Sequence, residues 1–139
     1  MRLTSYTDYG LRMLMRMAGS PDATLSTSEL ADELGLSRNH LTKIMQHLAR
    51  AGLVRTRRGG GGGAALARSP DQIRLGEVVA LLEERHALVE CLAPDGGCCS
   101  IDGRCRLKAR LRMAEAAFYA ALDAATLADV ALSAPASHR

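Results

Sequence analysis

The stretch from Ser26 to Ala51 leaves few folds open. Ser26 and Glu29 have the spacing of a capping box, which opens a helix. Leu30, Ala31 and Leu34 fall on one face of that helix. Gly35 stands where a left-handed helix end favours a residue without Cβ. Ser37 then caps a longer helix running to about Ala51, with Leu41, Ile44, Met45 and Leu48 as its buried stripe. A short helix, a glycine-containing turn and a longer helix make a helix-turn-helix. Another helix precedes the pair over residues 5–19. Ser5 and Asp8 have capping-box spacing there, and Leu11, Leu14, Met15 and Ala18 share a face before Gly19-Ser20-Pro21-Asp22 stops the helix.

The outer face of the third helix carries Arg38, Asn39, Thr42, Lys43, Gln46 and Arg50, with His40 and His47 at its margins and no acid. Ordinary surface helices mix signs. These side chains can donate to phosphates, and Arg, Asn and Gln can also bind base edges in bidentate fashion. The net charge of +3 is unevenly placed: residues 1–70 carry +5 and residues 71–139 carry −2, and between Leu34 and Pro70 there are seven basic residues and no acidic one. Such a one-signed stretch suits a polyanion. Val54-Arg55-Thr56-Arg57 alternates like a short strand, and Arg58, Gly59 to Gly63 and Ala64-Ala65-Leu66-Ala67 follow. The pattern reads as a β-hairpin wing whose Arg57, Arg58 and Gly60 face the DNA backbone or a minor groove; a flexible linker is the competing reading. The glycines lack the Gly-Lys-Ser/Thr ending of a phosphate-binding loop. The fold class expected is mainly α, a winged helix-turn-helix with a small β-wing and a long C-terminal dimerisation helix.

At 139 residues the chain suits one domain, or one domain with an oligomerising extension. Aromatics at 3% disfavour a base-stacking surface, so double-stranded rather than single-stranded nucleic acid is the expected partner. No apolar run approaches the roughly 20 residues of a membrane span. The polar start MRLTSYTDYG argues against a secretory signal, so a cytoplasmic location is expected. Past Pro70, residues 73–84 read as a fourth helix and 91–105 as a Gly/Pro-rich loop. Residues 106–125 read as a last helix, with Leu107, Leu111, Ala114, Phe118, Ala121 and Ala125 on a coiled-coil-like seam. The expected division is a DNA-binding part, 1–70, and a loop-and-dimerisation part, 71–139. A homodimer would match two helix-turn-helices to a palindromic operator. The tail past about Leu132 is expected to fray.

All four cysteines, Cys91, Cys98, Cys99 and Cys105, fall in one 15-residue window. That crowding suits metal ligands or redox thiols better than a disulfide framework. The spacings are not the short CxxC pairs of structural zinc, and the adjacent Cys98 and Cys99 are awkward as two ligands of one ion. Three thiolates, with either Cys98 or Cys99 left over, suit an iron–sulfur cluster. A metal-free thiol switch is the alternative, with Arg104, Arg106 and Lys108 favouring thiolate. No Ser/His/Asp set, paired loop carboxylates or nucleotide loop stands out, so an enzyme is not expected.

LTSYTDYGLRML at 3–14, LSRNHLTKIMQHLARAGLV at 36–54, the Arg-Gly wing at 57–63, TLADV at 126–130 and CRLK at 105–108 resemble the iron–sulfur winged-helix repressor family (IscR/NsrR-like), and most of all its nitric-oxide-sensing branch. The resemblance covers nearly the whole chain. It implies a homodimer with a long crossing C-terminal helix and a cluster on Cys91, Cys99 and Cys105, with Asp8 of the other subunit as fourth ligand. A 4Fe-4S cluster is implied ahead of 2Fe-2S. The first spacing is longer than usual for the family and Cys98 is extra, so Cys98 can stand in for Cys99. The other branch takes its fourth ligand from a His three residues past the last Cys, where this chain has Lys108. Nitric oxide is then the implied signal, with a sensor of cluster supply or a zinc or thiol switch without iron as alternatives.

Overall fold

A computed structural model describes residues 1–58, 63–84 and 86–136. Helix α1 (Ser5–Ala18) is capped one residue before the expected cap: Thr4 is its N-cap, and the Thr4 hydroxyl accepts the Thr7 amide at 3.2 Å. The Ser5–Asp8 box does not form there, because Asp8 is drawn to Arg12 one turn on. Helix α2 (Thr27–Leu34) has the full capping box. The Glu29 amide donates to Ser26 Oγ at 3.0 Å, and the Ser26 amide to the Glu29 carboxylate at 2.8 Å. Gly35 ends it at φ 65° and ψ 36°, the left-handed conformation that the sequence requires. Helix α3 (Arg38–Arg50) follows at once. Ser37 has the extended N-cap backbone but, among the described residues, makes no side-chain cap bond.

Strands β1 (Val54–Arg57) and β2 (Gly63–Leu66) pair antiparallel, with Val54 opposite Leu66 and Arg57 opposite Gly63. Leu25, just before α2, exchanges two backbone hydrogen bonds with Ala64 at 2.8 and 2.9 Å, which ties the wing to the helix-turn-helix. The tip that holds Gly60 lies outside the described residues. One apolar core joins the elements: Met13 and Leu14 of α1, Leu41, Ile44 and Leu48 of α3, Leu53, Ile73, Val78 and Leu127 are all almost wholly buried.

Helix α4 (Leu75–Leu82) is shorter than the expected 73–84. Residues Pro70–Gln72 form a 3-10 turn, and Ile73 and Arg74 run extended beside Thr126 and Leu127, whose amide donates to the Ile73 carbonyl at 2.8 Å. The cysteine segment is mostly loop, with 3-10 turns at Glu90–Leu92 and Asp102–Arg104. Helix α5 (Leu107–Asp123) packs against α4. Its expected seam is split: Leu111, Phe118 and Ala125 are half-buried within the chain, whereas Leu107, Ala114 and Ala121 are exposed. The chain returns through a 3-10 turn, Leu127–Val130, and the Leu132 amide donates to the Met15 carbonyl at the end of α1. No helix among the described residues is long and apolar enough to cross a membrane.

Candidate functional site

The buried stripe of α3 fixes which side of that helix meets solvent. With Leu41, Ile44, Met45 and Leu48 inside, Arg38, Asn39, Thr42, Lys43, Gln46 and Arg50 are all exposed. Arg57 and Arg58 of the wing are exposed as well. The expected DNA-facing residues on α3, and Arg57 and Arg58 of the wing, are thus open to solvent, while Gly60 lies outside the described residues. Two of them are held in place. Arg38 Nη2 donates to Ser28 Oγ of α2 at 2.5 Å, and the Thr42 hydroxyl donates to the Arg38 carbonyl at 2.9 Å. The margins are fixed from α1: Tyr9 stacks on His40, and the Tyr6 hydroxyl lies 3.0 Å from His47 Nδ1.

The cysteine loop joins α4 to α5. Cys91 sits in the first 3-10 turn and Cys105 closes the second. The Cys99 carbonyl accepts the Asp102 amide at 3.2 Å. Cys91, Cys99 and Cys105 are half-buried, Cys98 is exposed, and all four are free thiols. Lys108 is paired with Asp102 at 2.7 Å, so its charge is spent within the loop. Among the described residues no three of His, Cys, Asp and Glu are gathered to hold a metal ion. The donor set itself, three half-buried free thiols on a Gly/Pro-rich loop, suits an iron–sulfur cluster. Asp8 lies on the first turn of α1, where Arg12 binds both its carboxylate oxygens at 2.8 and 3.0 Å. Arg12 in turn stands over the Tyr9 ring, 5.9 Å from its centroid. Within one chain Asp8 is thus an ion-pair partner of Arg12.

Glu83 joins the entry of the cysteine loop to the start of α1. It is 8% exposed and caps the C-terminus of α4. Its carboxylate accepts the Thr4 amide at 2.6 Å and the Thr4 hydroxyl at 2.9 Å. The segment that enters the cysteine loop is thereby tied to the start of α1, across 79 residues of sequence. Neither the charge pattern nor the helical period carries a signal for this contact, because it pairs residues that share no element.

Residues 3–132 match the family profile described as Rrf2, iron-dependent transcriptional regulator. The chain is 42% identical over 134 residues to the HTH-type transcriptional regulator NsrR of Shouchella clausii (strain KSM-K16), which covers 96% of this chain and 90% of that protein. Among solved structures, CymR (YrzC), the global cysteine regulator of B. subtilis, is 28% identical with a TM-score of 0.72, over 94% of this chain and 96% of that one. T. potens IscR is 26% identical with a TM-score of 0.70, over 93% of this chain and 85% of that one.

Proposed function

Because this chain belongs to the Rrf2 family of iron-dependent transcriptional regulators, we propose that it is a repressor whose cysteine loop holds an iron–sulfur cluster and whose signal is nitric oxide. The observation that carries this reading is the 42% identity to an NsrR over nearly the whole chain; the three half-buried free thiols between α4 and α5 agree with it. Cys91, Cys99 and Cys105 would hold a 4Fe-4S cluster, with Asp8 contributed across a homodimer and Cys98 the substitute for Cys99. A bound cluster would supply iron that reacts with nitric oxide. A carboxylate is a harder and weaker iron ligand than a thiolate, which suits the position meant to yield first.

The chain's own residues do the rest. In each protomer α3 enters a major groove of a palindromic operator, where Arg38, Asn39, Thr42 and Gln46 meet base edges, and Lys43, Arg50, Arg57 and Arg58 meet phosphates. Arg12 competes for Asp8, so α1 has two possible partners for one carboxylate. Each tenfold change in DNA affinity between the two states needs about 1.4 kcal/mol of coupling.

Anaerobically purified protein should contain iron and sulfide and shift operator DNA in a gel, and nitric oxide should abolish the shift. Serine at 91, 99 and 105 should remove the iron and the response together. Iron-free protein whose repression survives all three serines would end this reading. A metal-free thiol switch is the second one, supported by the free, ungathered thiols and the likeness to a cysteine regulator. Colour separates the two, since an iron–sulfur protein is brown. A sensor of cluster supply, the third, would answer to iron starvation more than to nitric oxide.

A further inference from the structure

We propose that Ser28, on α2, sets the DNA sequence preference of this protein by holding the Arg38 side chain in its reading position. This rests on the reading above that Arg38 meets a base edge. Arg38 is the first residue of α3, and in a helix-turn-helix the start of the recognition helix reaches the bases. Bidentate recognition of guanine needs the guanidinium plane aimed correctly, and an unrestrained Arg loses rotamer freedom when it docks. Here the aim is set from outside the helix. Arg38 Nη2 donates to Ser28 Oγ at 2.5 Å across the turn. The backbone under Arg38 is fixed by the Thr42 hydroxyl, which donates to its carbonyl at 2.9 Å.

The support is rigid as well. Ser28 is the second residue of α2, inside the turn locked by the Ser26–Glu29 capping box, and it is half-buried. Lys43 and Arg50 have no comparable tether among the described residues, in keeping with contacts to phosphates, which are less demanding of direction. The chemistry of the tether also fits. A guanidinium has five N–H donors, so one bond to a hydroxyl leaves enough for a base edge. A carboxylate in place of Ser28 would hold Arg38 more tightly but would neutralise it and repel the DNA backbone.

The test uses the full-length protein and an operator selected from random duplexes by the wild type. Affinity is measured for that operator and for unrelated DNA, over a range of salt. Ser28→Ala should lower the ratio of the two affinities by about two- to tenfold, while unrelated-DNA affinity, salt slope and thermal midpoint hold steady. Ser28→Thr, which keeps the hydroxyl, should restore the ratio. In an Arg38→Ala background, Ser28→Ala should add nothing. If Arg38→Ala collapses the ratio and Ser28→Ala leaves it intact, the inference about Ser28 fails while the base-reading role of Arg38 stands. If Arg38→Ala itself leaves the ratio intact, that role fails and the inference falls with it. An equal loss on both DNAs after Ser28→Ala also overturns it.

Discussion

A single carboxylate shows how residue chemistry fixes the geometry of this chain. Burial by itself raises the Glu83 carboxyl, but hydrogen bonds from Thr7 and Thr4, with His86 nearby, outweigh it and hold the group below its ordinary value of 4.5. A carboxyl depressed in the folded state stabilises the fold above its unfolded value, and that stabilisation is lost as pH falls through the folded value. Glu83→Gln should therefore lower stability by about 1–2 kcal/mol near neutral pH, as for a weakened buried hydrogen bond. The deficit should shrink as the pH is stepped down past 4.5 and the wild-type carboxyl takes up its proton. Urea midpoints of both proteins along that pH series are the measurement; a constant gap would mean that Glu83 acts by shape and not by charge. The same residue marks a limit of sequence reading. Local spacing pointed to Ser5 and Asp8 as the cap of α1, but Thr4 holds the position because a carboxylate 79 residues away fixes it. Where the contact is local, as at Ser26 and Glu29, spacing alone was enough.

At the scale of elements, the crossing of α4 and α5 decides where the cysteine loop begins and ends. Gly76 makes it possible. A Cβ there would lie 2.3 Å from Asp123 Oδ1 and 2.6 Å from the Tyr119 carbonyl, which is backbone and cannot swing aside. Asp123 Oδ1 also accepts the Glu77 amide at 3.1 Å, so the end of α5 satisfies the start of α4. Gly76→Ala should separate the two helices and cost about 1–3 kcal/mol, despite the better helix propensity of alanine. Gly103→Ala, where nothing lies within 4 Å, should stay within about 0.5 kcal/mol of wild type. Equal effects in urea unfolding would show that close approach is not what Gly76 provides. The helical pattern over 73–84 gave α4 its core but overran its start. Ile73 and Arg74 pair instead with the segment at 126 and 127, a partnership that no helical period encodes.

For the whole molecule, what was legible follows from how far each feature reaches. The basic face of α3 and the cysteine window are local in sequence, so composition and period exposed both. The surface that α5 leaves uncovered is not legible in the same way, since it depends on which face of the helix the chain's own fold covers. Ala109, Met113, Ala116 and Ala120 follow one another at helical spacing on its exposed side, and Leu107 and Met113 are 62% and 63% exposed. The seam read from sequence lay partly elsewhere on the helix, because Leu111 and Phe118 already turn toward the chain's own fold. In the proposed homodimer α5 would pair along the uncovered stripe and set two α3 helices apart by the spacing of a palindrome. Met113→Glu puts a charge in that stripe while leaving the core of each chain untouched, so it should yield folded monomers in sedimentation experiments. A monomer engages one half-site and about half the phosphates, so the slope of log affinity against log salt should fall by about half. A Met113→Glu protein that stays dimeric and keeps its full salt slope would move the interface off α5, and the spacing of the two recognition helices would have to be set by another surface.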